Sequence, residues 1–177
     1  MFRSPYRKLG LRGRLAAALL CFDGLCQTRS IDSRLVDEFV EHLWRFLSLN
    51  FETDLRVWED ERPDLVLLPF EDEEPRGIPD LAKKLGLSDS VFRRLIERIV
   101  EIVYGSLYGA VNNGESLRDL KWVFRICEEA GITPPPAKLF FSCRFSDDDG
   151  WGFPLSEEEL LEWRKFKCTP QGGTANR

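Results

Sequence analysis

The chain has a single histidine, no closely spaced cysteine pair and no long apolar run, and each shortage excludes a class of function. One histidine cannot supply a two-histidine metal site or a pair of histidines for acid–base catalysis. No apolar run approaches the 18 or so residues that cross a bilayer. We therefore expect a soluble protein with no membrane-spanning helix.

The five cysteines are an odd set that lies mostly inside apolar runs: Cys21, Cys26, Cys127, Cys143 and Cys168. None of them shows the CxxC spacing of a zinc or redox site. The pattern predicts reduced thiols in the core of a cytoplasmic protein, with no metal and no cofactor.

The N-terminus has some features of a signal peptide, because only basic charges precede the run "LAAALLCF". Those charges are Arg3, Arg7, Lys8, Arg12 and Arg14. Asp23 ends the apolar run, however, and no A-x-A cleavage site follows it. The stretch therefore predicts a first helix from about Arg12 to Cys26 that is apolar on most sides and largely buried.

A length of 177 residues with 43% hydrophobic content suits a single domain with its own core. Apolar residues recur at helical spacing through most of the chain, which predicts a mainly α fold of about six helices with at most two short strands. Residues 1–168 form this domain, and residues 169–177 are expected to be a disordered tail.

Local signals set several helix boundaries. Asp32 is a candidate cap for the second helix, which we expect to end near Asn50. Ser116 is expected to cap the helix that ends before Gly131. The segment "SEEELLEWRKF" has capping-box spacing between Ser156 and Glu159, and its inward residues are predicted to be Leu160, Leu161 and Trp163.

Two apolar segments have no clear helical period. "DLVLLPF", between Pro63 and Phe70, reads as a short edge strand or an extended segment. "KLFFSCRF" alternates, which favours a strand with Leu139, Phe141, Cys143 and Phe145 on one face, although a helix led by the preceding prolines is the alternative.

The stretch "IPDLAKKLGLSDSVFRRLIERI" from Ile78 to Ile99 resembles the framework of a helix-turn-helix. Gly86 stands at the turn, and apolar residues on both sides would pack the two helices together. If it binds DNA, the candidate contacts to bases and phosphates are Lys83, Lys84, Ser90, Arg93, Arg94 and Glu97.

The same stretch also fits a tight corner between two core helices, which needs a glycine after the first helix and a serine cap before the second. Asp80 and Asp89 would face the phosphates of bound DNA unfavourably. The second helix continues as a nearly all-apolar run past Tyr104, as a core helix would. We therefore favour the corner and keep the DNA-binding regulator as the alternative.

His42 flanks the apolar stripe of the second helix, four residues after Glu38. This spacing predicts a surface or boundary histidine held by Glu38.

The segment "FSDDDGWGFPLS" resembles a calcium loop only in part. With Gly150 at the turn position, Phe145 and Ser156 occupy positions that require ligands. A polar turn that folds Trp151 and Phe153 back onto the core is the preferred interpretation.

Acidic residues concentrate in two places on a chain whose net charge is −5. The segment 59–76 has eight acidic and two basic residues, and we expect its later part to be a mobile loop. Acidic loops flanked by aromatic side chains suit the capture of a basic protein. The candidate partner-binding residues are Glu71, Asp72, Glu73, Glu74, Asp147, Asp148, Asp149 and Trp151.

About a third of the chain resembles small helical immunity proteins of bacterial toxin systems. The residues concerned are "RLAAALLCFDGLCQTRSIDSRLVDEFVEHLW" and "YGSLYGAVNNGESLRDLKWVFRICEEAGITPPP". The resemblance implies a protein that is not an enzyme and that neutralises a cognate basic toxin by binding it. No nucleophile, base and metal set in the sequence favours catalysis.

Overall fold

The computed structural model describes residues 4–71 and 75–170, and within them the fold is mainly α. Two isolated antiparallel bridges, Leu9 with Arg144 and Ile132 with Pro170, are the only strand-like pairing in that part. The mainly α, single-domain prediction is confirmed. The helices are α1 (Leu11–Thr28), α2 (Arg34–Phe46), α3 (Leu55–Asp60), α4 (Asp64–Leu67), α5 (Ile78–Leu85), α6 (Asp89–Tyr104), α7 (Asn113–Glu129) and α8 (Glu157–Lys165).

Helix α1 lies at the centre of the molecule, with fifteen of its eighteen residues buried. It packs against α2, α6 and α7, and α6 packs against α7. Gly24 of α1 also lets the segment after α8 come close, because a Cβ atom added to it would lie 2.8 Å from the Cβ of Cys168. None of the helices in the described residues is long and apolar enough to cross a membrane.

Two basic residues near the start of α1 are buried rather than exposed. The guanidinium of Arg12 donates hydrogen bonds to the carbonyl oxygens of Phe46 at 2.8 Å, Leu47 at 3.0 Å and Leu49 at 3.0 Å. It also lies over the ring of Phe51, 4.6 Å from its centroid. The last carbonyls of a helix have no partner within the helix, so Arg12 caps the C-terminal end of α2.

Arg14 binds the first turn of α7. Its guanidinium donates to the carbonyl oxygen of Asn113 at 3.0 Å and to the hydroxyl of Ser116 at 2.6 Å. The sequence predicts Ser116 as the cap of α7, but Ser116 lies inside the helix. The side chain of Asn112 is the cap, because it accepts from the backbone N–H groups of Gly114 and Glu115.

Both segments without a helical period lack a strand. Residues 64–67 form α4, since Pro63 precedes the helix and Asp64 stabilises its first turn. Ala137–Phe140 is a single 3-10 turn. The turn buries Phe140 and leaves Phe141 47% exposed, so the alternating face predicted from Leu139 to Phe145 does not form.

The boundaries of α2 and the inward face of α8 also need correction. Ser33, not Asp32, precedes α2, and the helix ends at Phe46, four residues before Asn50. The capping box between Ser156 and Glu159 is confirmed. Leu161 is 61% exposed, however, and α8 contacts the core through Trp163.

Candidate protein-binding surface

An exposed aromatic patch with acidic neighbours lies where α3, the end of α4 and the end of α6 meet. Phe70 is 52% exposed and Tyr108 is 81% exposed. The ring of Phe70 lies 5.7 Å from that of Tyr104, and the hydroxyl of Tyr108 donates a hydrogen bond to the carboxylate of Glu59. We call this surface the Phe70–Tyr108 patch; its residues are Glu59, Phe70, Glu71, Tyr104 and Tyr108, with the exposed cation Arg62 beside both tyrosines.

The two tyrosines of the patch are neutral hydrogen-bonding groups at ordinary pH. The hydrogen bond to Glu59 raises the pKa of Tyr108, and burial raises the pKa of Tyr104. The hydroxyl of Tyr104 has no partner among the described residues. The hydroxyl of Tyr104 is buried, so Tyr108 is the tyrosine that a partner could contact through its hydroxyl, and exposed tyrosines are common anchors in protein interfaces.

A buried aromatic cluster supports this patch from below. Trp58 is fully buried, stacks on Tyr104 at 5.4 Å and donates its indole N–H to the carbonyl oxygen of His42 at 2.8 Å. Phe46 lies 5.0 Å from Trp58. Packing on both sides holds Tyr104 in place, so the patch is already formed before any partner binds.

His42 belongs to this cluster, and the prediction of a surface histidine held by Glu38 is wrong. Its side chain is 4% exposed and stacks on Trp58 at 4.4 Å, while Glu38 pairs with Arg34. Neither ring nitrogen has a hydrogen-bond partner among the described residues. Burial, helped by the charge of Arg45, lowers the pKa of His42 to about 4.

The second acidic group lies on the turn before α8. Asp148 and Asp149 are exposed, and Asp147 is half-buried. Trp151 is half-buried against Phe51 at 5.0 Å and Phe46 at 5.8 Å. Trp151 does fold back onto the core, whereas Phe153 remains exposed, contrary to the sequence-based interpretation.

The rings connect the two predicted acidic groups. Trp151 contacts Phe46, Phe46 contacts Trp58, Trp58 contacts Tyr104, and Tyr104 contacts Phe70, in steps of 5.0 to 5.8 Å. Phe46 and Trp58 are fully buried, so these contacts join the two groups through the core rather than across one surface.

The segment 71–74 is only partly described. Glu71 follows Phe70 and is exposed. Asp72, Glu73 and Glu74 lie outside the described residues, as does most of the predicted tail. Thr169 does pair with the core, because its carbonyl oxygen accepts from the N–H of Thr133 at 3.1 Å.

The corner between α5 and α6 has the local geometry that the sequence predicted. Gly86 has φ 74° and ψ 25°, and the hydroxyl of Ser88 caps α6 by accepting from the N–H of Val91. The candidate DNA contacts divide by exposure: Lys83, Lys84, Ser90 and Arg94 are exposed, whereas Arg93 and Glu97 are half-buried. The guanidinium of Arg94 lies 5.6 Å from the ring of Trp122.

Replacing Gly86 with alanine is expected to lower the free energy of unfolding by about 1 kcal/mol, because a left-handed backbone strains any residue with a Cβ atom. The nearest neighbour of an added Cβ is the guanidinium of Arg29 at 3.6 Å, so a clash adds nothing. Gly109→Ala is the control, since Gly109 has open space around it and no positive φ. Urea unfolding of the three proteins measures the difference, and equal midpoints would contradict the expectation.

All five cysteines are free and buried. Burial raises the pKa of Cys26 and raises that of Cys143 to about 11, so these thiols stay protonated and unreactive at neutral pH. No group of three or more potential metal ligands occurs within the described residues.

Comparison with known proteins finds no matching family, no matching curated protein and no matching solved structure. A functional assignment therefore depends on the chemistry of the surfaces themselves.

Proposed function

We propose that this chain is a non-catalytic protein-binding module that captures a basic protein through the Phe70–Tyr108 patch. The observation that supports it best is the pair of exposed aromatic rings, Phe70 and Tyr108, beside the acidic residues Glu59 and Glu71. Contiguous exposed apolar patches, unlike single exposed side chains, are uncommon on a protein surface unless they bind a partner. Aromatic anchors supply affinity, and the surrounding carboxylates speed the encounter with a basic partner.

The partner class follows from charge and from the resemblance noted in the sequence. A net charge of −5 disfavours a polyanionic partner and suits a basic one. Immunity proteins in the cytoplasm neutralise basic toxins by this kind of complementarity. Asp147, Asp148, Asp149 and Trp151 are proposed to form a second acidic contact with the partner.

The first test is capture followed by neutralisation. The purified protein, immobilised and treated with nuclease, is exposed to lysate of its own cell, and the retained proteins are identified by mass spectrometry. One basic protein should be retained stoichiometrically and released at high ionic strength. Expression of that protein alone should then be toxic, and co-expression of this chain should relieve the toxicity.

Replacing both Phe70 and Tyr108 with serine should weaken capture by roughly thirtyfold or more, since an interface anchor contributes about 2 kcal/mol. Leu161→Ser is the matched control, because Leu161 is equally exposed but lies on α8, outside both acidic groups. Surface plasmon resonance with the captured partner measures the dissociation constants. Equal affinities of the wild type and the double variant would refute the role of the patch.

DNA binding by the α5–α6 corner is the alternative, supported by the exposure of Lys83, Lys84 and Arg94 beside a tight turn. Asp80 and Asp89 are exposed on the same helices and oppose it. An electrophoretic mobility shift with random duplex DNA distinguishes the two functions. Binding that disappears in a Lys84→Gln, Arg94→Gln variant but survives the Phe70 and Tyr108 changes would favour the alternative.

A further inference from the structure

A groove with basic and aromatic walls lies at the N-terminal end of the molecule, and the two acidic groups take no part in it. Two adjoining cavities of about 470 and 620 Å³ share Lys8 and Phe141. Their other walls are Ser4, Pro5, Arg7, Leu9, Asn113, Arg144, Phe145 and Ser146. Cavities of a few hundred cubic ångströms are the size that holds a small ligand.

The backbone holds the two sides of this groove in register. The N–H of Phe145 donates to the carbonyl oxygen of Lys8 at 2.8 Å, and the N–H of Gly10 donates to that of Cys143 at 3.0 Å. The buried guanidinium of Arg14 lies beneath, donating to the carbonyl oxygens of Arg7 and Asn113. It also lies 5.3 Å from the ring of Phe145. These contacts fix the backbone on both sides of the groove and the ring of Phe145 without a ligand.

No ion pair between described residues neutralises the charges of the groove. Arg7, Lys8 and Arg144 are all exposed. None of them takes part in the ion pairs formed within the described residues. Phe141, beside them, is 47% exposed and presents its ring to both cavities. Three unpaired cations on an acidic protein, next to an exposed ring, suit a ligand that has both a phosphate and an aromatic base.

We propose that this groove binds a nucleoside phosphate, with the base against Phe141 and the phosphate among Arg7, Lys8 and Arg144. Asp147, Asp148 and Asp149 follow Ser146 directly and would repel a polyanion that continued beyond the groove. The ligand is therefore a free nucleotide rather than a long nucleic acid. This site is separate from the Phe70–Tyr108 patch and does not depend on the function proposed for it.

Isothermal titration calorimetry with adenosine 5′-monophosphate tests the proposal, with inorganic phosphate and a short thymidine oligonucleotide as the comparison probes. The wild type should bind the nucleotide at millimolar or lower concentration and bind phosphate at least tenfold more weakly. Phe141→Ser and Arg144→Gln should each weaken nucleotide binding about tenfold. Both side chains are exposed, so circular dichroism should show an unchanged fold.

Lys121→Gln is the matched control, because Lys121 is an exposed cation of α7 outside the groove. It should bind the nucleotide as the wild type does. The absence of heat with every probe would overturn the proposal. Equal affinity for phosphate and nucleotide, with no effect of Phe141→Ser, would also overturn it. So would tight binding of the oligonucleotide without binding of the mononucleotide.

Discussion

Replacing Arg12 with methionine is expected to lower the free energy of unfolding by about 3 kcal/mol, because three carbonyl oxygens lose a charged donor and that of Leu49 keeps no other partner among the described residues. The carbonyls of Phe46, Leu47 and Leu49 have the Arg12 guanidinium as their side-chain partner. Methionine fills a similar volume, so the loss reports the hydrogen bonds rather than a cavity. Burial lowers the pKa of Arg12 only to about 10, and the group is therefore charged at neutral pH in the wild type.

Urea unfolding at neutral pH, followed by circular dichroism, measures this change. Arg34→Met is the matched control, since Arg34 lies on the surface of α2 and pairs with Glu38 one turn along the same helix. Arg12→Lys should lie between the wild type and the methionine variant, because an ammonium group cannot reach three carbonyls with the geometry of a guanidinium. Similar small losses for Arg12→Met and Arg34→Met would show that the capping contacts contribute little.

Acidification from pH 6.5 to pH 4 is expected to remove about 3 kcal/mol of stability through His42 alone. The folded-state pKa of about 4 is below the unfolded value of 6.5. Between these values the unfolded chain binds a proton that the folded chain does not. The contribution is therefore fully present above pH 6.5 and is lost as the pH falls towards 4.

The variant His42→Phe isolates this effect, because phenylalanine keeps the stacking on Trp58 and does not titrate. Urea unfolding at each pH across this range measures the free energy of unfolding of both proteins. As the pH falls, the wild type should lose stability relative to the variant. The carboxylates are common to both proteins, so their contribution cancels in the difference. The same pH dependence of the free energy of unfolding in both proteins would mean that the buried imidazole is already protonated or hydrated.

Helices whose signals are local could be predicted from the sequence. The capping box at Ser156, the left-handed turn at Gly86 and the cap at Ser88 each involve residues within a few positions of one another. Their hydrogen bonds form in almost any fold that contains them. Alternation from Leu139 to Phe145 was misleading because the segment begins in a 3-10 turn, and within the described residues its strand-like pairing is limited to one bridge between Arg144 and Leu9.

Residues whose role depends on distant partners could not be predicted in the same way. Arg12 and His42 lie on the faces of α1 and α2 where sequence patterns place charged and polar groups at the surface. Their burial follows from Phe46 and Trp58, which α2 and α3 bring into contact with them. The candidate surface also depends on distant partners, because Phe70 and Tyr108 are far apart in the sequence. The packing of Tyr104 on Trp58 and on Phe70 brings them to one patch.

The burial of α1 on nearly every side has a consequence for the synthesis of the chain. Its principal neighbours, α6 and α7, begin at Asp89 and Asn113, long after α1 ends at Thr28. At about 5 to 20 residues per second, the ribosome adds the intervening residues over several seconds. During that time the apolar surface of α1 is without the helices that cover it in the native fold. Among the native neighbours of α1, α2 is therefore the first that the ribosome makes available to cover this surface.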